Sequence, residues 1–450
     1  MPGTHVMNDA TQLVQLWKQL LAPFALVLTQ PGFVRFGQWV TGTVLGWEEH
    51  TITQILTSIG LEDRWRVLER FAEYGAFRRD AVEQQTRNLI ETEVQPRFQG
   101  YRVVAIDDTK CHRTSSQVWG TCTFHEPAGR SPNRASTVRA HNWVVAGDLV
   151  PGTPWTYLPH TSRLYFRKTQ LPDGETFCTK PELAVAMLRQ ADANSPVPIL
   201  AVFDGAYANQ SVLGPCLDPT QGRRIDVVTR LRFDARLYRP LDLVGTRKKG
   251  RPRKWGDRLP APEQHGRWGV RWQETQAYVY GRQRKVRLKE RVCRWSVTGP
   301  TEPVRVIVAQ VEGYAEPWYL VTTSATLKAI EVVELFAARF RQEDGFRDHK
   351  QRLGMEECRA WTKAPIERTF AVQVVAQTLL KLLARRLDAT CGAGGWWSAP
   401  EWNRGKQHAT LLDVRRAMWA SRQAFSDFLR EQDDPREIAT AAEDSHATAA

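Results

Sequence analysis

The sequence predicts an α/β protein with an all-α N-terminal domain, a β-rich insertion and a helical C-terminal segment. Three observations lead to this fold class. Amphipathic helical periodicity dominates residues 8–96, short β-branched apolar runs begin at residue 101, and strand-like alternation fills much of residues 268–322. One of the predicted strands covers residues 275–289, and helical patterns return from residue 331 onward, the last of them over residues 408–431. We therefore expect four regions: residues 1–97, residues 98–235 together with 318–386, residues 236–317, and residues 387–450.

Composition indicates a globular protein with an anionic partner. The 450 residues carry a formal net charge of +13, and the sequence pI is about 9.6, which favours binding to nucleic acid. We find no run of 18 apolar residues and no secretory signal pattern, so we expect a cytoplasmic, nucleoid-associated protein. The seven cysteines include no CxxC pair, so the sequence predicts neither a disulfide framework nor a redox motif.

The N-terminal region predicts helices over residues 9–28, 30–46, 51–59, 62–76 and 78–93. The third and fourth helices are short and amphipathic, with Gly60 between them, which is compatible with a helix-turn-helix. Their arginines suit phosphate contacts, and solvated helix faces explain them equally well.

Two buried strands are predicted to end on aspartates. Residues 101–106, YRVVAI, precede Asp107 and Asp108, and residues 198–203, PILAVF, precede Asp204. Between them we predict a strand near residues 143–150, a loop-rich stretch over 151–178, and a helix that begins at Thr179. Because ligands bind outside the carboxyl ends of strands in open α/β sheets, these acids are candidates for a common site.

A third acid lies on a predicted helix from Glu331 to Gly354. A single stripe of this helix carries an acid, two bases and two aromatic rings, which is unusual for a core-facing helix. Its members are Phe336, Arg339, Glu343, Phe346 and Lys350. The alternative is a solvated helix with paired charges.

The three carboxylates together indicate a metal site. In a basic protein they suit two Mg²⁺ ions, for which Mn²⁺ can substitute, and two such ions promote displacement at phosphorus.

Other basic residues are candidates for DNA contacts. Residues 247–254, RKKGRPRK, form a basic loop whose Arg251, Arg253 and Lys254 could enter an A·T-rich minor groove, although a solvated loop is the alternative. Arg230 lies at the end of a third predicted strand, residues 225–231.

These elements resemble the DDE transposases of bacterial insertion sequences. The resemblance is to the branch with an RNase H-like catalytic core, a Tyr-x2-Arg-x3-Glu-x6-Lys signature and a β-strand insertion between its second and third acids. In this sequence Phe336 takes the Tyr position, and Arg339, Glu343 and Lys350 take the others. Phe336 lacks the hydroxyl that the family would use against phosphate.

The resemblance also covers the two aspartate elements. Asp204-Gly205-Ala206 matches the family's Asp-x-Ala/Gly element. For the first acid, the Asp-x-Thr pattern favours Asp107, whereas gapless comparison of AIDDT with members of the branch favours Asp108, which we prefer slightly.

The resemblance implies a transposase that binds terminal inverted repeats with its N-terminal domain, cleaves by metal-dependent hydrolysis and joins 3′-hydroxyl ends to target DNA by cut-and-paste. It implies that Asp107 or Asp108, with Asp204 and Glu343, holds the metal ions. It also implies a homodimer on double-stranded DNA, phosphate contacts from Arg339 and Lys350, and a base contact from Trp318, for which a core position is the alternative. A domesticated DNA-binding protein and a nuclease of the same fold without strand transfer remain the competing interpretations.

Overall fold

The computed structural model describes residues 10–126, 137–241 and 253–432. The N-terminal region contains the five predicted helices. They are α1 (Ala10–Leu21), α2 (Gln30–Leu45), α3 (Ile52–Ser58), α4 (Trp65–Tyr74) and α5 (Arg79–Val94). The first is shorter than predicted, because Pro23 follows it and the chain continues as a 3₁₀ helix over Ala22–Val27.

Four strands follow, and they correct two predictions. They are β1 (Arg102–His112), β2 (Cys122–His125), β3 (Thr137–Val150) and β4 (Thr156–Tyr165). Strand β1 continues through the two aspartates, which therefore lie within the strand rather than at its end, because β3 pairs along it as far as His112. Strand β4 lies in the stretch predicted as loop. Its polar residues Thr161 and Ser162 are buried against α5 through bonds to Arg87 and Glu83, so tertiary contacts replace a local apolar signal.

The next elements complete the central sheet. They are α6 (Lys180–Ala193), β5 (Ile199–Phe203), α7 (Gln210–Leu217) and β6 (Asp226–Arg230). Helix α6 begins at the predicted residue, where Thr179 and Glu182 form a capping box. Strands β4, β3 and β1 form an antiparallel meander, and β5 and β6 add in parallel, giving the order β4-β3-β1-β5-β6. This is the arrangement of an RNase H-like core, and the predicted fold class is confirmed.

The insertion continues the same sheet. Its strands are β7 (Leu237–Tyr238), β8 (Gln273–Val279), β9 (Arg282–Trp295) and β10 (Pro303–Val311), and β11 (Trp318–Thr322) follows it in the part predicted as core. Strand β11 pairs antiparallel with β6, and β10 and β9 follow in order, so the insertion shares hydrogen bonds with the core. A single strand predicted over residues 275–289 is instead a hairpin, with Tyr280 and Gly281 at its turn and φ angles of 47° and 83°.

The C-terminal part is helical. Its helices are α8 (Ala329–Ala338), α9 (Phe340–Arg352), α10 (Lys363–Cys391), α11 (Leu411–Ala420) and α12 (Arg422–Glu431). The continuous helix predicted over 331–354 is interrupted at Arg339, and the last predicted helix is divided at Ser421. Within the described ranges, none of the helices combines the length and the apolar character needed to cross a membrane.

The two ends of the chain share one apolar core. Side chains of α1, α2 and α5 pack with α10, α11 and α12 in a single buried cluster that includes Trp17, Trp39, Leu379 and Phe425. The predicted limits 1–97 and 387–450 therefore separate helices in sequence that lie together in space. The domain division itself stays a prediction.

Candidate active site

The two adjacent aspartates of β1 lie on opposite faces of the sheet. In the preceding residues, Ala105 packs in the apolar layer that contains α8, and Ile106 packs in the layer that contains α6 and α7. Successive side chains of a strand alternate between faces. Asp107 therefore lies on the α8 face and Asp108 on the α6 and α7 face.

Asp204 lies beside Asp107. Strands β1 and β5 are parallel and pair as far as Ile106 with Phe203, so the next residue of each strand is one of these two acids. Val202 belongs to the α8 layer, which places Asp204 on the same face as Asp107. One carboxylate oxygen of Asp204, Oδ1, accepts a hydrogen bond from the Gly205 amide at 2.6 Å.

Arg339 joins Asp107 to Glu343. It lies at the break between α8 and α9, and its Nη2 is 2.8 Å from Glu343 Oε1, one helical turn along the chain. Its Nη1 is 3.3 Å from Asp107 Oδ2. The Arg339 side chain is 11% exposed, whereas the Glu343 side chain is 44% exposed, so Glu343 keeps access to solvent. The guanidinium thus stands between an acid of the sheet and an acid of the helix.

Asp107 has an unusual pKa. Burial raises it from 3.8 to about 6. The Asp108 amide, which donates to Asp107 Oδ1 at 2.8 Å, and the Arg339 charge both lower the pKa, while the carboxylates of Asp108 and Asp204 raise it further. The raised pKa indicates that the negative charge at Asp107 is incompletely compensated by the surrounding protein.

Asp108 has different partners. Lys180 Nζ lies 2.5 Å from its Oδ2, and the Tyr207 hydroxyl donates to its Oδ1 at 3.2 Å. Burial raises the pKa of Tyr207, with the Asp108 carboxylate acting in the same direction, so this phenol remains a proton donor at neutral pH. Both oxygens of Asp108 are therefore held by donors on the α6 and α7 face.

The acids of the α8 face have the chemistry of Mg²⁺ ligands, because they offer carboxylate oxygens. Within residues 10–126, 137–241 and 253–432, however, no three His, Cys, Asp or Glu side chains lie close enough together to hold one ion. The Arg339 guanidinium lies between Asp107 and Glu343 and contacts both carboxylates.

Five aromatic rings lie next to the acids. Trp318 is 9% exposed, and its ring packs at 5.4–5.9 Å from those of Tyr280, Tyr314 and Phe336. Phe336 is also buried, and Arg339 lies over its ring at 5.6 Å. Tyr280, Tyr314 and Phe340 are each 38% exposed. Trp318 and Phe336, which were predicted to bind DNA, are thus in the core of the cluster. The other three rings form its exposed surface.

The remaining predicted residues lie around or away from this cluster. Lys350 Nζ is 3.6 Å from Glu356 Oε1, two turns beyond Glu343. Arg230 is exposed and lies against Gly205, beside Asp204. Arg253 and Lys254 are exposed, with Arg253 3.5 Å from Asp257. Arg251 lies outside the described residues.

Sequence reasoning missed Tyr280, Lys180 and Tyr207. Tyr280 is at the tip of the β8–β9 hairpin, where Arg339, Glu343 and Arg230 all influence its pKa, which burial raises. The glycine after Tyr280 was the available signal for this turn, but the alternating pattern on both sides of it favoured one long strand. The partners of Asp108 carried no local signal at all.

Comparison with known proteins identifies the family of this chain. The sequence pattern of the DDE superfamily endonuclease family matches residues 33–293, more than half of the 450 residues. The chain belongs to this family of DDE superfamily endonucleases. The matched residues include Asp107, Asp108 and Asp204, and Glu343 lies C-terminal to them.

None of the curated proteins is similar enough in sequence to match. Among solved structures, the chain is similar to the cryo-EM structure of a piggyBac transposase synaptic complex with hairpin DNA. The identity is 10% and the TM-score 0.44, over 96% of this chain and 84% of that chain. At that score the similarity supports no conclusion about this chain's activity.

Proposed function

We propose that this protein is a DNA transposase of a bacterial insertion sequence, in the branch that carries the Tyr-Arg-Glu-Lys signature. It binds the terminal inverted repeats of its element, cleaves the DNA by two-metal phosphodiester hydrolysis, and transfers the 3′-hydroxyl ends to target DNA by cut-and-paste. The observation that carries the proposal is the placement of Asp107 and Asp204 side by side on one face of the sheet, with Glu343 linked to Asp107 through Arg339. Membership of the DDE superfamily endonucleases supports it.

In this proposal Asp107, Asp204 and Glu343 hold two Mg²⁺ ions, for which Mn²⁺ can substitute. Bound divalent ions would activate the attacking hydroxyl and stabilise the leaving oxygen. We assign the first acid to Asp107 rather than to Asp108, which reverses the preference drawn from the sequence. Asp107 shares a face with Asp204 and is joined to Glu343 through Arg339, whereas Asp108 lies on the other face, where Lys180 and Tyr207 hold it.

Arg339 controls access to the acids. Its fork of N–H donors suits phosphate as well as carboxylate. A DNA phosphate that enters the site competes for the guanidinium, and its capture frees Asp107 and Glu343 for cations. Lys350, whose distance to Glu356 is 3.6 Å, is the corresponding phosphate ligand further along α9.

The accessible aromatic rings contact the DNA next to the scissile phosphate. We transfer this role from Trp318 and Phe336, which are 9% and 7% exposed, to Tyr280, Tyr314 and Phe340. Trp318 and Phe336 then support the exposed rings from below. The Tyr280 hydroxyl takes the polar role that Phe336 cannot fill.

The rest of the DNA contacts come from basic residues around the site. Arg230 lies beside Asp204, and Arg253 and Lys254, with Arg251, belong to the insertion. The helical N-terminal region binds the terminal repeats, and its α4 presents exposed Arg66 and Arg70. The protein acts as a homodimer on double-stranded DNA, in the cytoplasm at the nucleoid.

The decisive experiment is cleavage of end DNA by Glu343→Gln. The substitution keeps the size and hydrogen-bonding capacity of the side chain and removes its charge, so cleavage should fall by roughly a thousandfold or more while end binding stays within about twofold. The matched control is Asp344→Asn. Asp344 is adjacent on α9, but its carboxylate is held by Arg341 and Arg347 rather than by Arg339. Cleavage by Glu343→Gln at the wild-type rate would remove Glu343 from the mechanism.

Two further assays separate the competing functions. A domesticated DNA-binding protein would bind end DNA and show no Mg²⁺-dependent nicking. A nuclease without strand transfer would nick the DNA but would not join pre-cleaved 3′-hydroxyl ends to a target duplex. Short inverted repeats in the DNA flanking the gene, bounded by a target duplication, would favour the transposase over both.

A further inference from the structure

A basic strip runs along the insertion. In strand β9, Lys285, Arg287, Lys289 and Arg291 occupy alternate positions and therefore lie on one face. The residues between them include Val286 and Leu288, which pack in the apolar layer that contains α8. The four basic side chains therefore project from the opposite face of the sheet.

Trp272 organises the strip. Its ring lies 5.1 Å from the Arg287 guanidinium carbon and 4.7 Å from Lys289 Nζ, and the His265 ring is 5.3 Å away. Cation–π contacts of this kind hold long basic side chains in extended positions. We define the basic strip as these four cations of β9 together with Arg267 and Arg271, which are the chain neighbours of Trp268 and Trp272, the residues that Arg291 and Arg287 contact.

The strip carries a net positive charge that is mostly accessible. Arg267, Arg271, Lys285 and Arg287 are exposed. Lys289 and Arg291 are more buried and donate to backbone carbonyls of the preceding 3₁₀ helix. Two acids lie beside the strip: Glu274, 3.6 Å from Arg287, and Glu312, which accepts a hydrogen bond from the Lys285 amide. Six bases against two acids leave a strong positive excess.

The chemistry of the strip fits a phosphate backbone rather than unstacked bases. Its cations repeat along β9 at intervals of about 6.6–6.8 Å, given the rise of a strand. Base stacking needs an open aromatic face, and the Trp272 ring is engaged by Arg287, Lys289 and His265. Regularly spaced cations without a free ring are suited to duplex DNA, where phosphates dominate affinity.

The position of the strip separates it from the acids. Asp107 is on the face of the sheet that α8 covers, and the strip is on the other face. We propose that the basic strip binds a second DNA duplex, different from the one that enters the acid site of the same subunit. This inference rests on the proposed transposase function. Because that function joins the 3′-hydroxyl to target DNA at the acids, the duplex on the other face is a second transposon end.

The test uses the full chain with Arg271, Lys285 and Arg287 each changed to Gln. The matched control changes Arg404, Arg416 and Arg422 to Gln, three exposed bases of the C-terminal segment, so both triple variants lose the same charge. Labelled duplexes of different lengths report three quantities: binding and cleavage of one end duplex, assembly of complexes with two ends, and capture of a target duplex by a pre-cleaved end.

The strip variant should bind and cleave a single end within about twofold of wild type, and assembly of complexes with two ends should fall at least tenfold. The slope of log affinity against log salt for the second end should decrease by about 3, one unit for each lost phosphate contact. Loss of two-end complexes identifies the other end as the ligand, whereas loss of target capture alone would identify the target and overturn this assignment.

Three further results would overturn the inference. Unchanged assembly of both two-duplex complexes would show that the strip binds no second duplex. An equal loss of single-end binding would place the strip on the flank of the cleaved duplex. An equal loss of two-duplex assembly in the control variant would show that the effect comes from the lower net charge and not from the strip. In each case the proposed function is tested separately, because it requires that wild type cleaves single ends and that Glu343→Gln does not.

Discussion

The two faces of β1 carry the same side chain in different chemical settings. Asp107 lies under α8 and α9, shares its face with Asp204, and has a pKa raised by burial to about 6. Asp108 lies against α6 and α7 and is held by the ammonium of Lys180 and the hydroxyl of Tyr207. Both aspartates accept hydrogen bonds at both carboxylate oxygens, but Asp107 has Asp204 on its own face and Glu343 across Arg339, so it could share a cation with them. The face of the sheet on which a carboxylate lies, rather than its place in a motif, therefore distinguishes a candidate metal ligand from a support.

The largest expected effect separates these two aspartates. Asp107→Asn should lower cleavage of end DNA by roughly a thousandfold, because it removes a proposed metal ligand. Asp108→Asn should lower cleavage only about ten- to a hundredfold, as expected for a residue that positions the ligands. Initial rates over a Mg²⁺ series check this. If Asp108→Asn is the more damaging change, the assignment of the first acid must return to Asp108.

A smaller effect is expected at the hairpin tip next to the α8 face. Tyr280→Ala should lower cleavage about tenfold, since base–aromatic contacts contribute about 1–3 kcal/mol each. Tyr280→Phe keeps the ring, so the difference between the two variants measures the hydroxyl. Trp402→Ala removes an aromatic side chain that is 84% exposed in the C-terminal segment and serves as the control.

Trp318→Ala should behave differently from Tyr280→Ala. Because Trp318 is buried, its truncation should destabilise the protein by about 3–5 kcal/mol, visible as a lower melting temperature. A stable Trp318→Ala variant with a specific cleavage defect would restore the direct DNA contact that the sequence predicted.

The smallest expected effect is on stability and depends on pH. The pKa of Asp107 is raised from 3.8 in the unfolded chain to about 6 in the folded protein, so folding favours the protonated form. The contribution of protonated Asp107 to the free energy of unfolding is fully present below pH 3.8 and is lost as the pH rises through about 6. Without divalent cations, the melting temperature of Asp107→Asn should therefore be about 2 °C or more above that of wild type at pH 7.5. Near pH 4 the two proteins should have the same melting temperature.

Asp344→Asn is the control for the melting experiment. It removes a carboxylate that Arg341 and Arg347 stabilise, so no gain is expected at either pH. The same ionisation should make wild-type cleavage rise as pH increases through about 6, because metal binding requires the carboxylate. A melting temperature of Asp107→Asn below wild type at pH 7.5 would show that its ion pair with Arg339 outweighs burial.

The sequence by itself determined the elements that have strong local signals. Helix α6 begins at Thr179, where a hydroxyl, a proline and a glutamate three residues on specify a helix start. The apolar runs of β1 and β5 were sufficient to predict two strands of the sheet, and the alternation over residues 268–322 predicted further strands between Asp204 and Glu343. Periodicity and capping act between residues a few positions apart, which is why one sequence reveals them.

Tertiary structure decided the rest. Strand β4 is formed by polar residues buried against α5, the hairpin turn at Tyr280 is fixed by its packing on Phe340 and Trp318, and α8 and α9 separate at Arg339 where its side chain meets Asp107. Whether Asp107 or Asp108 faces Asp204 depended on strand register, because a shift of one residue exchanges the two faces. Register is set by pairing between β1, β3 and β5, across distances in sequence that no local pattern spans.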